Sequence, residues 1–494
     1  MVDLVLATAP YTESKFPLAA IGVLKSIAHD AGWSCVALDL NIQAYNEILV
    51  SENQNQLVDW FYSEKYYPEI EDQLDDMFTR MAKQILEYKP KLVGLSLFTY
   101  ACQIGAKYLC IKIKQLDPAV KVIIGGSGIY DSVNSDSQYI DGMIAMNLID
   151  HYITGDADVS FGDFLRGERA ATGIDNNEWL ELDNEVLASL PYPDYDDYDW
   201  SKYEVPGIPI TGSRGCVRRC TFCNDIVHWK RFSYRSGQNI FDEMMHQKNR
   251  YGINLFVFTD ALINGNVREF KNLIKLMADH NLANPDDKLS WDSQFIFRPK
   301  NQFSESDWDL VAASNPYRIH VGIESISEAV RFDMGKKFDQ NSMEFNLEQA
   351  LKHDIKIIGM LIVGYPTESR ADIDYAKHWL EENIKFNKIL QLTWGGTMSI
   401  LPGTYLDENR EKYGLNVYGP PWQHWTSTIT GSTPRLRAEW LTELKEHSDS
   451  LGFKISKGIE NESIVATLMS YEHQKALEPW INQRSVDYIK YHEL

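Results

Sequence analysis

Residues 212–223 read GSRGCVRRCTFC, following an apolar, strand-like run at 208–213 and preceding a helix-like stretch at 237–249. Cys216, Cys220 and Cys223 therefore form a Cys-x3-Cys-x2-Cys array on a loop that leaves a strand. The chain has six cysteines, and three of them fall in this segment, which asks for a metal rather than a disulfide framework. Three thiolates are one short of saturating an iron-sulfur cube, so one iron stays open to chelate a small molecule through an amine and a carboxylate. On spacing alone, a zinc tetrahedron completed by His228 is the alternative.

Working outward from that loop, strand signals recur at 208–213, 255–259, 289–297, 318–324, 355–363 and 389–397, with helical periodicity between them at 237–249 and 267–280. Strands that alternate with helices make βα units, and six of them predict a partial (β/α)6 barrel of TIM type over residues 208–400. Upstream, apolar runs at 3–9, 34–40, 91–97, 120–124 and 152–154 predict buried parallel strands. A helix carrying Leu18, Ile21, Leu24 and Ile27 on one face separates the first two. This pattern is a doubly wound, Rossmann-like α/β domain over residues 1–165, whose ligands sit at the carboxyl ends of the strands. Residues 166–207 include LPYPDYDDYDWSKYEVPG, lose the rhythm and read as a linker strapped along the surface.

Past residue 400 the pattern changes to a small, mainly helical region, 401–494. Pro402-Gly403-Thr404, Gly419-Pro420-Pro421-Trp422 and Trp425 make a turn-rich aromatic stretch that either covers a substrate or packs a cap on the barrel. Thr433-Pro434 then opens an amphipathic helix with Leu436, Trp440, Leu441 and Leu444, and Gly452 closes it.

The 494 residues carry 70 acidic and 48 basic side chains, a net charge of −22, which argues against a nucleic-acid partner. No apolar run reaches the roughly 18 residues of a membrane span, and MVDLVLATAP lacks the features of a secretory signal, so a cytoplasmic protein with no membrane partner is expected. Cys35, Cys102 and Cys110 are scattered and read as core thiols.

The cysteine array, its place after the first barrel strand and the preceding α/β domain resemble radical S-adenosylmethionine (SAM) enzymes with an N-terminal cobalamin-binding-like domain. RSGQNIFDEM, FVFTDALIN, HVGIES and IVGYPTE add to the likeness, which covers about residues 1–400. The resemblance implies a 4Fe-4S cluster on Cys216, Cys220 and Cys223, with SAM contacted by Phe222, Asp260, Arg298, Glu324, Ser325 and Gly364. Asp260 departs from the family's glycine-glycine-glutamate stretch, and its other reading is a capping residue. The resemblance also implies cobalamin at Thr8, Ala9, Ser96, Thr99, Gly125, Gly126, Ser127 and the loop from Gly155 to Asp158. The chain lacks the Asp-x-His-x-x-Gly motif of an axial histidine, and His151 does not fit that spacing.

The implied activity is cobalamin-dependent methyl transfer to an unactivated carbon of a small-molecule or peptide substrate, with electrons from a flavodoxin- or ferredoxin-type donor. The alternatives are a radical SAM oxidoreductase or cyclase with a vestigial first domain, and a non-catalytic metal-binding module. The general acid and base residues are not legible.

Overall fold

The computed structural model describes residues 2–12, 16–129, 138–168, 182–229, 231–418 and 422–455. These fall in two compact units: the residues up to Arg214 together with His228–Thr259, and Gly215–Val227 together with the residues from Asp260 onward. The expected features at 419–421 and beyond 455 lie outside the described residues.

In the first unit β1 (Leu4–Thr8), β2 (Cys35–Leu38), β3 (Leu92–Ser96), β4 (Lys121–Gly125) and β5 (His151–Ile153) form a sheet of order β2-β1-β3-β4-β5. Every pairing is parallel, with Leu4 opposite both Cys35 and Leu92. LVLAT and LVGLS are buried at every position because helices cover both faces of the sheet. Asp39 ends β2 by turning the chain: its carboxylate accepts from Ile42 N–H and caps the helix Leu40–Leu49. Leu40 therefore opens a helix, where its apolar side chain had been expected to end a strand.

The strap after this sheet is anchored by inward-facing aromatics. Tyr195 is fully buried and donates to Pro209 O at 3.1 Å, Tyr198 donates to Leu18 O at 2.6 Å, and Tyr203 donates to Asp39 at 2.6 Å. Lys25 pairs with Asp194 and Asp197 of the same segment at 3.0 and 2.6 Å. The unit ends with β6 (Ile208–Ile210), β7 (Ser213–Arg214), β8 (Ser233–Tyr234) and β9 (Leu255–Phe258), in which β6 runs parallel to β9 and β7 antiparallel to β8.

The second unit contains β10 (Ser290–Phe295), β11 (Pro316–Glu324), β12 (Ile357–Val363) and β13 (Leu390–Thr397), paired in that order and all parallel. β14 (Leu415–Val417) and β15 (Trp425–Ser427) make a small antiparallel pair, and β16 (Lys454–Ile455) adds to the free side of β13. The register slips between Gly322 and Glu324, and again between Leu361 and Val363, at the carboxyl ends of β11 and β12. Such slips re-aim side chains at the end where ligands of βα folds sit. The expected C-terminal helix spans Pro434–Ser450 with Thr433 as its N-cap. No helix among the described residues is long and apolar enough to cross a membrane.

Candidate functional site

The cysteine loop belongs to the second unit and is knitted into it by backbone bonds. Thr221 N donates to Met334 O at 3.0 Å, Leu406 N donates to Thr221 O at 3.0 Å, and the Thr221 and Tyr365 hydroxyls meet at 2.8 Å. Gly335, at φ +84°, is what lets residues 334–336 lie against the loop: a Cβ there would stand 3.0 Å from Arg219 O and 3.4 Å from Cys220 Cα. Phe222 packs on the apolar cluster of Val330, Met334, Tyr365, Met398 and Trp425.

All six cysteines are free thiols; Cys35, Cys102 and Cys110 are buried in the first unit, as is Cys220 in the second, while Cys216 and Cys223 are partly exposed. Burial raises the pKa of Cys216, Cys220 and Cys223, and the charge of Cys220 is felt by both of the others. A bound cation must offset that rise to hold them as thiolates. As they stand, no three His, Cys, Asp or Glu side chains among the described residues converge closely enough to hold a metal. The donor set nonetheless fits an iron-sulfur cluster by its chemistry, because it consists of three free thiols on one loop. The side chain of His228, the alternative fourth ligand, lies outside what is described.

Next to the loop stands a buried ion pair that the sequence did not disclose. Lys336 Nζ lies 2.7 Å from Glu324 Oε1 and 5.8 Å from the centre of the Phe222 ring. Burial opposes the Lys336 charge, but Glu324 and Cys220 outweigh it and raise the lysine's pKa. Glu324 ends β11 at φ +65°, a conformation that a glutamate adopts at a cost of about 1–3 kcal/mol and holds only where its surroundings fix it. Ser325 follows, donating to Glu368 at 3.3 Å.

Arg298 is 9% exposed, and its Nη2 donates to the carbonyls of Asn264 and Gly265 at 2.7 and 3.1 Å. Its Nε is buried without an acceptor, and burial together with Arg218 lowers its pKa to about 10. Among the described residues no carboxylate pairs with it. Asp260 is buried at 3% exposure. At Gly364, φ +86°, an added Cβ would meet the Arg437 stem at 2.1 Å, so packing inside the protein already demands glycine there.

In the first unit the candidate residues gather at the carboxyl ends of β1, β3, β4 and β5. Some are committed internally: the Thr8 hydroxyl donates to Asp39 at 2.7 Å and accepts from Asn41 N, and Ala9 N donates to Ser96 O at 2.9 Å. Gly126, at φ +101°, passes so close to Leu97 O that a Cβ would stand 2.4 Å away, and the Ser127 hydroxyl donates to Phe98 O at 2.6 Å. Thr99 is partly exposed, and Gly155 turns at φ +75°. In a sheet of this strand order the ligand crevice opens where β1 and β3 are neighbours. The loop leaving β3 there exposes two large aromatics, Phe98 and Tyr100, at 41% and 48%. Sequence reading passed over them, although two aromatics in a turn after a buried strand were the available signal.

The radical SAM superfamily model matches residues 210–380. An uncharacterized methyltransferase of Pyrococcus horikoshii is 24% identical over 354 residues, 68% of this chain and 72% of that protein. The cytidylyl-2-hydroxyethylphosphonate methyltransferase of Streptomyces wedmorensis is 26% identical over 239 residues, 43% of this chain and 42% of that protein. Among solved structures, the radical SAM methyltransferase TsrM of Kitasatospora setae, seen with cobalamin and a 4Fe-4S cluster, superposes with a TM-score of 0.59 at 17% identity, over 89% of this chain and 84% of that one. The expected order of a doubly wound α/β domain, a partial barrel and a small helical region is that fold. Residues 210–380 thus match the radical SAM superfamily, in a chain that shares the fold of TsrM over most of its length.

Proposed function

We propose that the protein is a cobalamin-dependent radical SAM methyltransferase acting on an unactivated carbon of a small-molecule or peptide substrate. The observation that carries this reading is a loop of three free thiols seated, through Cys220, against the buried pair Lys336 and Glu324. Cys216, Cys220 and Cys223 would hold a 4Fe-4S cluster, and the orphaned Nε of Arg298 offers a charged donor to the carboxylate of SAM. Phe222, Asp260, Glu324, Ser325 and Gly364 would line the rest of that cofactor's site. Held there, a cluster would supply the electron for reductive cleavage of SAM, the chemistry that opens radical SAM reactions.

Residues 1–165 are read as the corrinoid-binding domain, 208–400 as the barrel and 401–494 as its cap. Thr8, Ala9, Ser96, Gly126 and Ser127 shape the backbone of the crevice; Thr99, Gly125 and Gly155 would line it, with Phe98 and Tyr100 as an apolar shelf for a flat macrocycle. A cytoplasmic setting with a flavodoxin- or ferredoxin-type donor suits the free thiols.

The test is anaerobic purification followed by an absorbance spectrum and cofactor extraction. A 4Fe-4S cluster with a bound corrinoid is expected, and turnover should yield both 5′-deoxyadenosine and S-adenosylhomocysteine. Protein that takes up a cluster but no corrinoid, and forms 5′-deoxyadenosine alone, would sink the methyltransferase reading in favour of an oxidoreductase or cyclase. Cys220→Ala should abolish 5′-deoxyadenosine formation.

A further inference from the structure

The chain leaves the first unit after Arg214 and returns to it at His228, and the excursion between, residues 215–227, carries all three cluster cysteines. Both stems of that excursion are gripped by one short loop. Trp229 Nε1 donates to Asp156 Oδ2 at 2.9 Å, and Arg214 Nη2 donates to Asp158 Oδ1 at 3.4 Å. Asp156 and Asp158 belong to the segment GDAD that follows β5, at the carboxyl edge of the doubly wound sheet. Asp158 is 8% exposed and its partner Arg214 is largely buried, so this ion pair is shielded from water. Arg214 also donates to the Thr211 hydroxyl at 3.3 Å, and Thr211 in turn meets the Thr259 hydroxyl at 2.9 Å, which ties the stem to the ends of β6 and β9.

A loop with free stems samples many separations of its ends, and each one presents the three thiols differently. Pinning both stems removes that freedom before any ligand arrives, which is how a rigid support preorganises a metal site. We propose that Asp156 and Asp158 are positioning residues for the cysteine loop, fixing the two stems from which Cys216, Cys220 and Cys223 hang. This rests on the radical SAM reading of that loop.

The experiment uses the full chain, reconstituted anaerobically with iron and sulfide. The unaltered protein is measured first: if it takes up no cluster, the reading of the cysteine loop itself fails, and this inference with it. Given a cluster there, the double variant Asp156→Leu/Asp158→Asn, which removes the acceptor for Trp229 and the charge facing Arg214, should stay folded by thermal melting yet retain at most about half the iron per chain. Its reduced cluster should also lose the change in electron paramagnetic resonance spectrum that SAM brings about in the unaltered protein. Asp158→Glu, which keeps the charge, should recover part of both. Should the double variant not fold, Trp229→Phe removes one hydrogen-bond donor while keeping a ring, and carries the same two readouts. Full iron content and an unchanged response to SAM in the double variant, or in Trp229→Phe where the double variant does not fold, overturn the proposal.

Discussion

Two buried cations in the second unit show opposite solutions to the same electrostatic problem. Lys336, beside the cysteine loop, is neutralised from within by Glu324 at 2.7 Å, and its pKa is driven up. Arg298, in the turn after β10, has only carbonyl oxygens and the Gln302 amide as acceptors among the described residues, and its pKa falls to about 10. Taking a charge out of water costs several kcal/mol unless an opposite charge or a full set of hydrogen bonds repays it. Lys336 is repaid inside the chain and serves to hold the loop. Arg298 is not, which is why the carboxylate of SAM is proposed as its partner.

The sharpest way to break this contrast is to remove the internal neutraliser's partner. Lys336→Met strands the Glu324 carboxylate and should cost about 3–5 kcal/mol of stability, read as a large drop in melting temperature. Adding Glu324→Gln should recover much of the loss, since an uncharged pair is cheaper to bury than a lone charge. A double variant as unstable as the single one would mean that the pair is not the source of the cost. Arg298→Met should behave in the opposite way, with modest effect on melting but SAM binding weaker by about 1.5–3 kcal/mol, the range for a hydrogen bond to a charged group. If Arg298 serves only to cap its turn, melting falls and SAM affinity holds.

The backbone of this arrangement was legible in the sequence, while its charges were not. Buried parallel strands write themselves as apolar runs, so β1 and β3 are located to within a residue or two by LVLAT and LVGLS alone. The two-residue β7, β8 and β16 and the three-residue β14 and β15 carry too few positions for any period to show. The cysteine array was legible because three thiols within one short segment ask for a metal, with zinc and an iron-sulfur cluster both open on spacing alone. Lys336 had no such signal: MGKKF reads as an exposed turn, and only the close approach of Gly335 to Cys220 carries the amine inward. Phe98 and Tyr100 were passed over because an exposed aromatic becomes informative only once the strand order shows which crevice it borders.

A third buried group extends the comparison, because Glu368 neither pairs its charge nor awaits a partner for it. Burial raises its pKa to about 7, against the N–H of Gly364 and the Ser325 hydroxyl, which donate to it at 2.5 and 3.3 Å and favour the charged form; Asp372 adds to the rise. A carboxyl that titrates near 7 when folded and near 4.5 when unfolded binds its proton more tightly in the folded state. Stability from this group is therefore fully present below the lower value and is lost as pH rises through the higher one, at about 1.4 kcal/mol per pH unit between them. Glu368→Gln keeps the shape and removes the titration. Its melting temperature should gain on that of the unaltered protein as pH rises from about 5 to 7, by roughly 1–2 °C per unit, and then hold a constant lead. Parallel melting curves across that interval would show that Glu368 is charged throughout, and that this corner of the unit, like Lys336, neutralises its charge from within.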